Sequence, residues 1–174
     1  MSLKDKALAF CQAAHGDQKR KYTGEPYWTH PAAVAASVAE YTADEEVIAA
    51  ALLHDVLEDT PVTFEQLETE FGARVAALVR EVTDVSKPED GNRVTRKAID
   101  CKHLAGSSPE GALIKLADML DNTGSVVANA PEFAKKYLVE KAAVLDVLKH
   151  ADPRLWRRTQ QSIEEAQKQL SGSQ

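Results

Sequence analysis

The stretch Leu52-Leu53-His54-Asp55-Val56-Leu57-Glu58-Asp59 places four ionisable side chains directly behind the apolar run Ile48 to Leu53. On a helix, His54 and Glu58 stand at i and i+4, Asp55 and Asp59 likewise, and Asp55 and Glu58 at i and i+3, so the charges crowd one end. A helix as apolar as this run is buried, and charges carried with it need partners or a bound cation. Three carboxylates at a helix C-terminus also oppose the macrodipole, a cost that a cation would offset. Glu58-Asp59-Thr60-Pro61 alone would suit a solvated acidic helix end before a turn. Two further residues point to a metal instead. His30 precedes Pro31 at a helix start, and Asp118 is a polar residue within the largely apolar stretch Ile114 to Leu120. Singly these read as a cap and as a surface position. With His54 and Asp55 they give two imidazoles and two carboxylates, a donor set for one divalent transition-metal ion such as Mn²⁺, Fe²⁺ or Zn²⁺, with positions left for water and substrate. His15, His103 and His150 lack acidic neighbours at ligand spacing and read as ordinary surface or helix-end residues.

The elements that must position these groups are helices. Leu3, Ala7, Phe10 and Ala14 recur at helical spacing behind a Ser2/Asp5 capping box, which predicts a helix from about Leu3 to His15. A basic, polar loop follows, with Lys19-Arg20-Lys21 and Thr23-Gly24-Glu25-Pro26. Pro31 sits in the first turn of a second helix ending near Tyr41. Thr42 and Glu45 cap a third, running through Glu58 to the stop at Pro61. Thr63 and Gln66 cap a fourth that breaks at Gly72, and Val75, Leu78, Val79 and Val82 face one way on a fifth. After the loop Lys87 to Asn92 come a helix from Arg93 to about Leu104 and another, capped by Ser108 with Pro109 at its first position, ending around Asn122. Two longer helices begin at Pro131 and Pro153. No segment alternates with period two long enough for a strand. The expectation is a single all-α domain over 1–174, an orthogonal bundle of roughly eight helices, with its core at about 3–150 and a last helix at about 153–170.

Composition agrees. A chain of 174 residues is one domain on size and buries about 70% of its unfolded surface, so it needs no disulfide or metal merely to fold. Hydrophobic residues at 44% and charged residues at 28% are the balance of a globular protein, not a disordered one. The 27 acidic residues outnumber 21 basic ones for a formal charge of −6, which argues against broad capture of nucleic acid. A small phosphorylated ligand is still allowed, since a local basic patch or a metal overrides the global sign. Cys11 and Cys101, the two cysteines, fit a reduced, cytoplasmic protein. The N-terminus leads into no signal-peptide core, and the longest apolar run, Val47 to Leu53, is too short to span a bilayer. The sequence leaves the oligomeric state open.

On His30, His54-Asp55 and Asp118 the chain resembles the HD-domain metal-dependent phosphohydrolases. Flanking residues narrow the likeness. Arg20-Lys21, Gly24-Glu25-Pro26-Tyr27 before His30-Pro31, Ala50 through Pro61, Phe71-Gly72, Val82-Thr83 and Lys115-Leu116-Ala117-Asp118 with Asn122 are similar to the hydrolase domain of the RelA/SpoT stringent-response enzymes. The length is similar to that of the stand-alone small alarmone hydrolases. The likeness covers the chain from about Ala7 to Leu148. It implies removal of the 3′-pyrophosphate from a (p)ppNpp alarmone, with a nucleoside 5′-di- or triphosphate as the other product. It implies one Mn²⁺ held by His30, His54, Asp55 and Asp118. Glu58 and Asp59 would orient and deprotonate the attacking water, Arg20 and Lys21 would face the nucleotide, and Asn122 the ribose or base side. Three departures fall near the nucleotide: Tyr22 is an extra residue behind the basic pair, Met119 stands where the family often has Arg, and Gly124 where an Arg commonly follows the Asn. They bear on base preference and 5′-phosphate number, and guanine versus adenine stays open. Two other readings also stay open. A different HD phosphohydrolase is disfavoured by Glu58-Asp59 and the Gly-Glu-Pro-Tyr turn, and a catalytically silent nucleotide-binding domain by the presence of all four ligand types.

Overall fold

A computed structural model describes residues 1–172. They are all-α, with ten α-helical segments, a 3₁₀ turn at Pro88–Asp90 and no strand among them. The only extended pairing among these residues is a lone antiparallel bridge between Lys19 and Pro26. The chain divides into two compact units, one ending at Thr83 and the other beginning at Asp84.

The first unit holds α1 (Leu3–His15), α2 (Thr29–Ala39), α3 (Glu45–Leu52), α4 (Val56–Asp59), α5 (Phe64–Phe71) and α6 (Ala73–Val82). Its axis is α3, whose residues Val47 through Leu52 are all buried and which packs against α1, α2 and α6. Helix ends follow local chemistry. Ser2 accepts from the Asp5 N–H, and Thr63 and Gln66 form the expected reciprocal capping box. At Gly72, φ is +93°, a backbone state that side chains disfavour, and this lets α5 turn sharply into α6. The face of α1 turned inward is Ala7, Cys11 and His15, rotated from the expected Leu3–Ala7–Phe10–Ala14 stripe. Phe10 instead meets Phe71 edge-on at 5.3 Å.

The expected third helix is interrupted. It starts at Glu45, because Asp44 rather than Thr42 is the cap and accepts from the Glu46 N–H. It stops at Leu52 without Gly or Pro. The His54 Nδ1 lies 2.7 Å from the Ala51 carbonyl, the acceptor that the Asp55 N–H would need for the helix to continue. A side chain at a backbone acceptor competes with the helical ladder. The turn tightens to i→i+3 bonds, His54 N–H to Ala51 O and Val56 N–H to Leu53 O, before α4 begins. His54, Asp55, Glu58 and Asp59 therefore do not share one continuous helix: His54 lies in the turn, while Asp55 caps α4 and keeps its i, i+4 relation to Asp59, whose N–H donates to the Asp55 carbonyl at 2.9 Å.

The second unit contains α7 (Arg93–Ala105), α8 (Pro109–Asn129), α9 (Pro131–Asp146) and α10 (Pro153–Gly172). Helix α8 packs on α9 and α10, α9 on α10, and α7 on α9. Ser108 caps α8 as expected, accepting from the Gly111 N–H. The helix runs on past Asn122 to Asn129, because Thr123 and Val126 are buried and packing outweighs the weak propensity of Asn122-Thr123-Gly124-Ser125. At Gly124 an added Cβ would meet nothing within 4 Å, and the position is exposed. Gly124→Ala is therefore expected to stabilise the protein by about 0.5–1 kcal/mol, since glycine loses more chain entropy in a helix. A chemical-denaturation midpoint that does not rise would count against it.

Candidate metal centre

Three of the expected donors meet in the first unit. One ligand atom each from His30, His54 and Asp55 lies within 4.8 Å of the others. Asp55 Oδ2 is 3.2 Å from His54 Nε2 and 3.7 Å from His30 Nε2. Both imidazoles are almost fully buried, at 2% and 3% exposure, and their rings stand edge-to-face at 5.2 Å. A carbonyl only accepts, so the Ala51 oxygen fixes the His54 proton on Nδ1 and leaves the Nε2 lone pair toward Asp55. Two imidazole nitrogens and a carboxylate oxygen converging on one buried locus fit a divalent transition metal, with the backbone bond setting the tautomer as in known metal sites.

The loop between α1 and α2 supplies the next layer. The Tyr27 N–H donates to the Gln18 carbonyl and the Arg20 N–H to that of Glu25. Together with the Lys19–Pro26 bridge these bonds close a short hairpin, whose turn uses Gly24 at φ +73°. The Tyr27 hydroxyl thereby reaches Asp55 Oδ2 and donates to it at 2.7 Å. His15 backs Tyr27, ring centroids 4.8 Å apart, and bonds Gln18 Oε1 through Nδ1 at 3.1 Å. Gln18 in turn donates to the Asp59 carbonyl at 2.8 Å. His15 ends its helix as expected but is buried, at 2% exposure, not a surface residue. Its i+4 spacing from Cys11 and i+8 spacing from Ala7 is the sequence signal that would have placed it on the inner face. Arg20 and Lys21 lie in the same hairpin, and the Lys21 ammonium sits 5.5 Å from the ring of Tyr22, the extra residue.

The electrostatics follow from crowding. Desolvation first, and the Asp55 charge second, raise the Asp59 carboxyl above its ordinary value, although the residue as a whole is exposed. Burial, with Asp55 behind it, pushes the Cys11 thiol up to about 12, so Cys11 is an inert core residue. Glu58 is exposed on α4. Asp118 belongs to the second unit, on α8, where it is 6% exposed. Lys115 Nζ lies 3.0 Å from its Oδ2, and Asn122 donates to its Oδ1 at 2.9 Å. Asn122, expected on the nucleotide side, thus also orients this carboxylate.

A buried His-His-Asp locus in an all-helical frame defines a class that comparison bears out: the HD-domain model matches residues 7–153, and the chain belongs to the HD-domain family. Within it, the chain is 40% identical over 156 residues to the guanosine-3′,5′-bis(diphosphate) 3′-pyrophosphohydrolase MESH1 of Drosophila melanogaster, covering 85% of this chain and 86% of that protein. It is 40% identical over 145 residues to the guanosine-3′,5′-bis(diphosphate) 3′-pyrophosphohydrolase of Aquifex aeolicus, covering 83% of this chain and 21% of the relative. The chain thus spans about a fifth of that longer enzyme. A solved structure of a metazoan ortholog of SpoT, described as hydrolysing ppGpp with a role in starvation responses, superposes with a TM-score of 0.85 at 34% identity, over 95% of this chain and 96% of that one. No helix among the described residues is long and apolar enough to cross a membrane.

Proposed function

We propose that this protein is a metal-dependent hydrolase that removes the 3′-pyrophosphate from (p)ppGpp-type alarmones, with Mn²⁺ as its metal and the cytoplasmic stringent response as its setting. The observation that carries the reading is the convergence of His30, His54 and Asp55 in a chain similar, almost end to end, to a ppGpp hydrolase. The family pattern adds Asp118 as fourth donor. A divalent ion held there would supply Lewis acidity toward a phosphoryl oxygen and would acidify a water.

The chain's own groups do the rest. Tyr27 holds Asp55 Oδ2 in place, and Ala51 holds the His54 ring. Glu58 and Asp59 orient the attacking water and take its proton at a carboxylate oxygen. Arg20 and Lys21 meet phosphate charge that a protein of net charge −6 would otherwise repel.

The test is product analysis with ppGpp and ppApp side by side in Mn²⁺. Pyrophosphate should leave whole, so an orthophosphate assay stays silent until pyrophosphatase is added. Direct orthophosphate release would move the protein to another HD phosphohydrolase activity.

A further inference from the structure

A cleft of 650 Å³ opens within the second unit, between α7 and α9. That volume lies within the roughly 300–1,000 Å³ of small-molecule sites. Its walls are two helix faces at i, i+3, i+4, i+7 spacing: Val94, Lys97, Ala98 and Cys101 on α7, and Lys136, Val139, Glu140 and Ala143 on α9. Such spacing normally marks a stripe buried against a neighbour. Here the space between the stripes is open, and Val94 and Val139 are 75% and 69% exposed at its edge.

The charge of the lining is one-sided. Five lysines face three acids, and two of those acids are already engaged. Asp100 accepts from the Val85 and Ser86 N–H groups and from the Ser86 hydroxyl. Glu140 takes both ends of the Arg93 fork, at 2.9 and 3.0 Å. Lys115 is spent on Asp118, so Lys97, Lys102, Lys136 and Lys141 stand against the charges of Asp84 and Asp100, and the cleft keeps a net positive balance. Burial first, and the Lys115 charge second, bring the Lys141 ammonium down to about 8, the condition of a cation crowded by cations with too little solvent. A concave, partly desolvated surface carrying surplus positive charge concentrates anions. Lysines without an arginine fork serve as point charges for phosphate, and the apolar walls call for an apolar or planar body on the same ligand.

We propose that the cleft between α7 and α9 is a binding site for an organic phosphate of nucleotide size, with its phosphate on Lys97, Lys136 and Lys141 and its apolar body between Val94 and Val139. No residue of the His30–His54–Asp55 cluster lines it, but Lys115 in its wall pairs with Asp118, the fourth donor of the proposed metal site, so the experiment removes His54 and metal to separate the two.

The experiment uses the whole 174-residue chain carrying His54→Ala, stripped of metal with a chelator, and titrates adenosine monophosphate by calorimetry. Adenosine and inorganic phosphate are titrated separately. Saturable binding with one site per chain is expected, with both fragments clearly weaker than the whole. Lys97→Glu combined with Lys136→Glu, both on the cleft wall, should weaken binding on the order of tenfold or more, since losing a charge partner commonly costs that much. Lys141→Met, which keeps the chain length, should weaken it as well and serves if the double variant misfolds. Absence of saturable binding, binding that both variants leave intact, or binding that appears only when His54 and metal are restored would each overturn the proposal. The last result would place the ligand at the metal centre, and none of the three bears on whether the wild-type enzyme releases pyrophosphate.

Discussion

His54→Ala is expected to remove metal and hydrolysis together. The His54 ring is buried at 3% exposure, its Nδ1 tied to Ala51 and its Nε2 3.2 Å from Asp55. Alanine deletes one of the three converging donors, and it leaves the Asp55 carboxylate half-buried beside the Tyr27 hydroxyl that donates to it. Loss of a mere supporting contact at a metal site typically costs about 10–100-fold in affinity or activity, and loss of a ligand costs more. Elemental analysis and turnover on the same preparation check this. Equal metal in wild type and variant would mean that the converging donors do not form the binding site, whatever the activity.

Glu58→Gln is expected to keep the metal and lose the rate. The substitution preserves shape and hydrogen bonding but cannot take a proton, and removal of general-base work commonly costs about 10²–10⁴-fold. Glu58 is exposed on α4 and is not one of the proposed donors, so metal content should be unchanged. KM should move little, because ground-state contacts survive. Arg20→Ala gives the contrasting pattern, with KM rising more than kcat falls, if the hairpin presents Arg20 to the nucleotide. A Glu58→Gln protein that loses its metal would make Glu58 a ligand, and one that keeps near-wild-type kcat would make it a bystander. Either result would transfer the base role to Asp59, and Asp59→Asn would then carry the large loss.

The residue types at the site were legible in the chain because each breaks a local pattern. His54 and Asp55 follow an apolar run, Asp118 interrupts another, and such exceptions are costly in a buried helix unless a partner offsets them. Helix starts were legible for the same local reason: Ser2, Thr63 and Ser108 cap as read, since a cap depends only on residues three positions apart. What spacing could not give is the break after Leu52. A regular helix was the default for residues without Gly or Pro, and only the folded chain shows the His54 side chain taking the Ala51 carbonyl. The contacts of His15, Gln18 and Tyr27 likewise depend on a hairpin closed by backbone bonds, which leaves no periodic signal. The length of α8 was decided by the burial of Thr123 and Val126 against poor local propensity. Sequence determined which groups carry the chemistry and most places where helices begin. Tertiary structure decided which of them meet and how each is oriented, because orientation comes from bonds between residues far apart in the chain.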